Sequence, residues 1–276
     1  MRKSAVIKLV KYVILITVCT VLMSPVVVAI LGSMRTTGDF TERPFGLPTE
    51  GIYWQNYTNV LKNEMFWKSF QSSVLITLGV TLLVTSLASC LAFVFSRISF
   101  LGRGLLFNIL SFGLLFPLVV AILPIFIQVR SLGLINSLWG VILPLVAFGL
   151  PGSVIILRGF FVAIPSELED AAYIDGCTTI GFFWHILFPM ARPAITAVAT
   201  IQVIAAWNEY FLPLVVLNDS NKWPLPLGIM QFRGQYGADT AGIMAYVTIL
   251  IIPAVIFYLF MERHIVTGLT GGELKG

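Results

Sequence analysis

Glu209 lies within an apolar stretch running from about 192 to 217. An ionisable side chain away from the ends of a membrane helix costs about 2.5–3.5 kcal/mol to insert, so it has to face the interior of a helix bundle. Gln202 lies seven residues earlier, two turns back on the same helix face. With Asn208 and Tyr210 adjacent to Glu209, the set can hydrogen-bond a hydroxyl-rich solute while Trp207 or Tyr210 stacks on a sugar ring. The same side chains also suit an interhelical polar clamp that touches no solute, and the sequence leaves both readings open.

Other chemistries lack their residues. A phosphate-cradling loop needs Gly-Lys-Ser/Thr after a strand, and no lysine here follows a glycine. His185 and His264 have no second His or Cys at ligand spacing, so no metal is expected. There is no nucleophile elbow and no catalytic pairing of groups near one interface, which argues against an enzyme acting on lipid or glycan. Cys19, Cys90 and Cys177 form no disulfide framework. Asn56-Tyr57-Thr58 matches a glycosylation acceptor, a tripeptide that often arises by chance. The net charge of +4 is scattered among apolar segments without a basic patch, so no nucleic acid is expected as a partner.

The elements that must carry Glu209 are membrane helices. Of 276 residues, 58% are apolar and only 11% charged, against about 25% charged in a soluble domain; the mean hydropathy is +0.93. Six stretches are long enough to cross the hydrocarbon core: about 12–33, 71–95, 104–129, 137–162, 192–217 and 243–261. The first follows Arg2, Lys3, Lys8 and Lys11, but its core is too long for a cleaved signal and is expected to remain as an anchor. The predicted fold class is an all-α membrane protein, a single bundle over residues 1–276 with no soluble domain in its linkers. Pro117, Pro124, Pro144 and Pro253 are helix breakers within the third, fourth and sixth spans.

Orientation follows from Lys and Arg in the short connections. Both termini inside places Arg2, Lys3, Lys8, Lys11, Arg97, Arg103, Arg158, Arg192, Arg263 and Lys275 on the cytoplasmic side. Arg35, Arg43, Lys62, Lys68, Arg130, Lys222 and Arg233 then lie outside, many of them in a long first loop.

The connection at 164–193 is long for an inner loop. Ser166 and Glu169 form a capping-box pattern after Pro165, so a helix is expected to start there and to end at Gly176. Leu168, Ala171, Ala172 and Asp175 fall on one side of it, and the two alanines predict a flat, close-docking surface. Thr178 or Thr179 can cap a second short helix whose Phe183, Ile186 and Leu187 make an apolar stripe leading to Pro189. Two such helices suit a protein partner; a helix lying among lipid headgroups is the alternative.

At these residues the chain resembles the integral membrane permeases of binding-protein-dependent ABC importers. Their loop reads E-A-A, three residues, Gly, nine residues, I-x-L-P; here it is Asp170-Ala171-Ala172, Gly176 and Ile186-Leu187-Phe188-Pro189. Asp170 replaces the usual Glu, with Glu169 beside it, and Phe188 replaces Leu. The stretches FQSSVLITLGVTLLVTSLASCLAFVFSRISFLGRG, AAWNEYFLPL and LPLGIMQFRGQYGADTAGIMA, with the terminus RHIVTGLTGGELKG, are similar to the carbohydrate-importing branch.

The resemblance implies a type I importer bundle with five core spans, the first span wrapping outside, and a non-catalytic subunit in a bacterial or archaeal inner membrane. It implies partners: a second permease subunit, two cytoplasmic ATPase subunits that hold the ATP and Mg, and an external solute-binding protein facing the first loop and residues 218–242. Carried over by position, Glu169, Asp170, Ala171, Ala172, Gly176, Ile186 and Pro189 are the expected ATPase-coupling residues. An ion-driven carrier or channel is the alternative, and would need buried charges in several spans.

Overall fold

The computed structural model describes residues 2–48, 51–234 and 237–270. Among these residues fourteen α-helices run in chain order: α1 (Arg2–Ser33), α2 (Thr37–Glu42), α3 (Gln55–Lys62), α4 (Glu64–Arg97), α5 (Arg103–Phe112), α6 (Leu118–Ser131), α7 (Trp139–Ala163), α8 (Glu167–Ile174), α9 (Thr179–Phe182), α10 (Phe188–Met190), α11 (Arg192–Trp207), α12 (Phe211–Val216), α13 (Leu225–Gly228) and α14 (Thr240–Thr270). Among the described residues the one strand ladder, β1 (Arg233–Gly234) with β2 (Gly237–Ala238), is antiparallel and two residues long.

Among the described residues four helices are long and apolar enough to span a membrane, and two bent helix pairs bring the number to six if each pair is one span. The first, second, fourth and sixth expected spans are single helices. The third is not: α5 and α6 meet at 106°. Pro117 has no N–H to continue a helix and holds Phe116 extended at φ −96°, ψ 111°, so the chain turns there. Pro124, Pro144 and Pro253, helix breakers by type, lie inside helices that continue past them. The fifth expected span is also interrupted. α11 ends at Trp207, Asn208 bonds back to the Ile204 carbonyl at 2.8 Å, and α12 begins at Phe211. Before α11 the chain bends by 74° from the helical stretch Thr179–Met190.

The chain packs as two compact units. One comprises Met1–Trp67 and Ile229–Pro253. It is organised around Arg35, which is fully buried. The Arg35 guanidinium donates to Asp39 Oδ2 at 2.6 Å, to the Asp39 carbonyl at 2.6 Å, and to the carbonyls of Arg43 at 2.6 Å and Gly46 at 3.0 Å. Asn56 Nδ2 donates to the carbonyls of Ser33 and Arg35, at 2.8 and 2.7 Å. At Gly32 a Cβ would stand 2.7 Å from the Phe40 ring, so α1 and α2 pack this closely only with glycine there. Thr37 donates to Asp239, which caps α14 by accepting from the Gly242 amide.

The Arg35 guanidinium, with Arg43 adding to it, holds the Asp39 carboxyl down to about 2 from an ordinary 3.8. A depressed carboxyl pKa stabilises the fold above the unfolded value and ceases to do so as pH falls through the folded one. Amide-exchange protection across Thr37–Glu42, corrected for intrinsic pH dependence, is therefore expected to fall between about pH 4 and pH 2, and the fall is expected to be absent in Asp39→Asn.

The other unit, Lys68–Gly228 with Ala254–Gly276, holds the loop and the Glu209 region. One buried cluster, including Ala92, Phe93, Leu157, Phe161, Phe182 and Leu187, packs α4, α7 and α11 around the loop helices. A second, including Ile76, Val80, Val141 and Leu212, joins α4, α6, α7 and α12.

Candidate functional site

The loop between α7 and α11 folds as a set of short helices seated on the first cluster. α8 starts at Glu167, but the capping box is not made: Ser166 keeps helical dihedrals and its side chain caps nothing. Glu169 turns elsewhere, to Arg97 at 3.3 Å and to the Tyr173 hydroxyl at 2.9 Å. The other end follows expectation. Gly176 adopts φ +83°, its N–H donates to the Tyr173 carbonyl at 3.0 Å, and the Cys177 N–H reaches the Ala172 carbonyl at 2.9 Å. This pair of bonds is the Schellman ending, which needs a left-handed residue and so favours glycine.

Thr178, not Thr179, caps α9 by accepting from the Gly181 amide at 3.1 Å. Residues Phe183–Leu187 then widen into a π-turn, with the Phe188 amide reaching back to the Phe183 carbonyl. Pro189 explains this local geometry, since it cannot donate and its ring would strike the carbonyl four residues back in a regular α-helix. Phe183 and Leu187 are buried, while Ile186 and Pro189 are half-buried.

The alanine surface is a correction. Adjacent residues on a helix point about 100° apart, and here Ala172 is turned into the core at 6% exposure while Ala171, Leu168 and Asp175 face outward. Asp170 and Gly176 are also exposed. The outer surface is dominated instead by two side chains that the motif did not single out, Ile174 at 86% and Ile180 at 71% exposure.

The second candidate region is a cavity of about 320 Å³ bordered by α4, α6, α7 and α11. Gln202 and Glu209 both line it, together with Ser153 and otherwise mostly apolar side chains such as Leu145, Phe148 and Ile201. Gln202 Nε2 donates to Ser153 Oγ at 3.0 Å, so the residue clamps α11 to α7 while bordering the cavity. Such a bond between membrane helices is worth about 0.6–2 kcal/mol. At Gly149 a Cβ would meet Gln202 Oε1 at 2.6 Å, so that glycine gives the amide its place.

Glu209 sits in the break between α11 and α12 and accepts from the Leu212 amide at 3.0 Å, capping α12. Non-helical backbone at membrane depth is tolerated where it lines a cavity, as it does here. The remaining three expected residues do not line this cavity. Trp207 is buried edge-to-face against Phe70 at 6.1 Å, Asn208 is exposed, and Tyr210 packs against Phe211 at 5.5 Å. Trp207 is the last residue of α11, and Asn208 and Tyr210 lie in the break that follows it, so nearness to Glu209 along the chain does not bring their side chains to the cavity.

Residues 85–270 match the family described as the binding-protein-dependent transport system inner membrane component. The chain belongs to this family. Among similar inner membrane components is the diacetylchitobiose uptake system permease protein NgcG of Streptomyces coelicolor, 31% identical over 268 residues, covering 96% of this chain and 88% of that protein. The arabinooligosaccharides transport system permease protein AraQ of Bacillus subtilis is 29% identical, covering 91% of this chain and 90% of the relative. The same fold is found in a bacterial ABC transporter involved in the import of the acidic polysaccharide alginate, with a TM-score of 0.84 at 23% identity, covering 95% of this chain and 98% of that one. Membership in the inner membrane component family sets aside the ion-driven carrier or channel reading and identifies a multi-pass inner membrane protein.

Proposed function

We propose that this inner membrane component forms part of the translocation path of a carbohydrate importer and couples it, through the loop from α8 to α10, to ATPase subunits that hold the ATP and Mg. The sugar class is supported by the diacetylchitobiose and arabinooligosaccharide relatives. The docking role is supported most by one observation: a folded loop with Ile174 and Ile180 standing out from it, two large apolar side chains set among Asp170, Asp175 and the Gly176 turn. A groove on a protein partner is the surface that such residues fit. Asp170, Ala171 and Gly176 belong to the docking surface, and Ala172, Ile186 and Pro189 support it from beneath. Glu169 lies apart from that surface, paired with Arg97 at the end of α4.

In this arrangement both termini and the loop face the cytoplasm. A second permease subunit completes the path, and an external binding protein delivers solute to the opposite side. ATP-driven closure of the ATPases moves the loop as a body and alternates access to the path. Gln202 and Glu209 are the contacts offered to solute hydroxyls from the cavity.

The test is the double substitution Ile174→Asp with Ile180→Asp in the assembled complex. Both positions are exposed, so membrane insertion and the thermal midpoint of the purified chain are expected to stay within about 2 °C of wild type. Co-purification of the ATPase and uptake of labelled oligosaccharide are expected to fall more than tenfold. Full retention of the ATPase would assign the loop to lipid headgroups instead.

A further inference from the structure

The docking loop is tied to the spans at one point by charge. Arg97, the last residue of α4, is 8% exposed in its side chain and Glu169 on α8 is 15% exposed, with Arg97 Nη1 and Glu169 Oε2 3.3 Å apart. The same guanidinium donates through Nη2 to the carbonyls of Phe161 at 2.7 Å and Ile164 at 2.5 Å, which close the end of α7. One side chain therefore holds the ends of two spans and the first turn of α8. Its cation is well placed for both helices: a helix C-terminus favours positive charge, and Glu169 in the first turn of α8 favours that helix in return.

The connection continues beyond Arg97. Glu169 Oε1 accepts from the Tyr173 hydroxyl at 2.9 Å, and Tyr173 stands 3.4 Å from Thr179 Oγ1 on α9. A second arginine makes the reciprocal tie between the spans. Arg158 on α7 donates from Nε to the Phe95 carbonyl of α4 at 3.0 Å and lies 4.4 Å over the Phe107 ring of α5. With Ala172 anchored in the cluster beneath α8, the loop has an apolar seat and a charged latch on separate sides.

We infer that Arg97 and Glu169 are positioning residues for energy coupling: the pair latches α8 to the ends of α4 and α7, so that a displacement of the loop moves those spans instead of deforming the connection. This rests on the coupling role proposed above. Glu169 is thereby assigned to intramolecular transmission, with the ATPase contacts left to the exposed residues.

The test uses Glu169→Gln and Glu169→Ala in the complete transporter reconstituted in vesicles, with labelled oligosaccharide and ATP. Co-purification of the ATPase and its hydrolysis rate are expected to stay within twofold of wild type, while sugar molecules taken up per ATP hydrolysed fall about fivefold for Gln and more for Ala. A purely structural role would lower uptake and hydrolysis together and leave their ratio unchanged, overturning the latch. Loss of the bound ATPase in the Glu169 variants would also overturn it, by making Glu169 a docking contact. Failure of the coupling reading itself would appear separately, as an ATPase that stays bound to the Ile174→Asp/Ile180→Asp protein.

Discussion

Ala172→Glu is expected to abolish ATPase association and uptake, whereas Ala171→Glu is expected to leave the chain folded and to weaken association only in part. The two positions are neighbours in one motif, but Ala172 is 6% exposed in the cluster that includes Phe161, Ile164 and Phe182, while Ala171 faces outward. A carboxylate at 172 either enters the cluster unpaired or lifts α8 off its seat. An uncompensated buried charge costs about 3–5 kcal/mol, enough to leave a short loop helix undocked. A glutamate at 171 carries no desolvation penalty before docking and acts only on the partner surface. The measurement is co-purification with the ATPase, alongside limited proteolysis of the loop in the isolated chain. Rapid cleavage in Ala172→Glu but not in Ala171→Glu is the expected pattern; equal cleavage of both would place the two alanines in the same environment.

Arg35→Met is expected to lower stability by about 3–5 kcal/mol, the range for removing one partner of a buried ion pair. The guanidinium makes four hydrogen bonds, three of them to backbone carbonyls of Asp39, Arg43 and Gly46. Methionine fills much of the same volume but leaves those acceptors without a donor. Arg35→Lys is expected to recover less than half of the loss, because an ammonium cannot present the planar fork that reaches both Asp39 and the carbonyls. The check is the thermal midpoint of each purified variant, with amide exchange across Thr37–Glu42 to locate the damage. A midpoint shift under about 2 °C for Arg35→Met would show that solvent replaces the guanidinium at little cost.

Much of the architecture was written in local patterns. Apolar run length marks α1, α4, α7 and α14, since a bilayer demands about 20 residues without charge whatever their neighbours are. Gly176 as a helix end is equally local: the left-handed turn excludes most side chains before any tertiary contact is considered. The E-A-A-like stretch and the flanking similarities carried the family, which the match over residues 85–270 bears out.

Tertiary structure decided where side chains point and which neighbours they meet. Run length did not separate Pro117, which turns the chain by 106°, from Pro124, Pro144 and Pro253, which remain inside helices. A proline always removes a donor, but packing determines whether the helix continues past it. Spacing paired Gln202 with Glu209, and both line one cavity although the helix ends between them; nearness in sequence also enlisted Trp207, Asn208 and Tyr210, whose side chains the packing at the end of α11 directs elsewhere. The same limit applies to the loop. Sequence marked Glu169 as a capping partner for Ser166, whereas an arginine 72 positions away claims its carboxylate. Composition and period determined that this chain is a membrane bundle with a motif-bearing loop. Which alanine faces the core, which carboxylate is latched and which polar groups share a cavity depended on contacts between distant segments, and no periodicity along one segment encodes those.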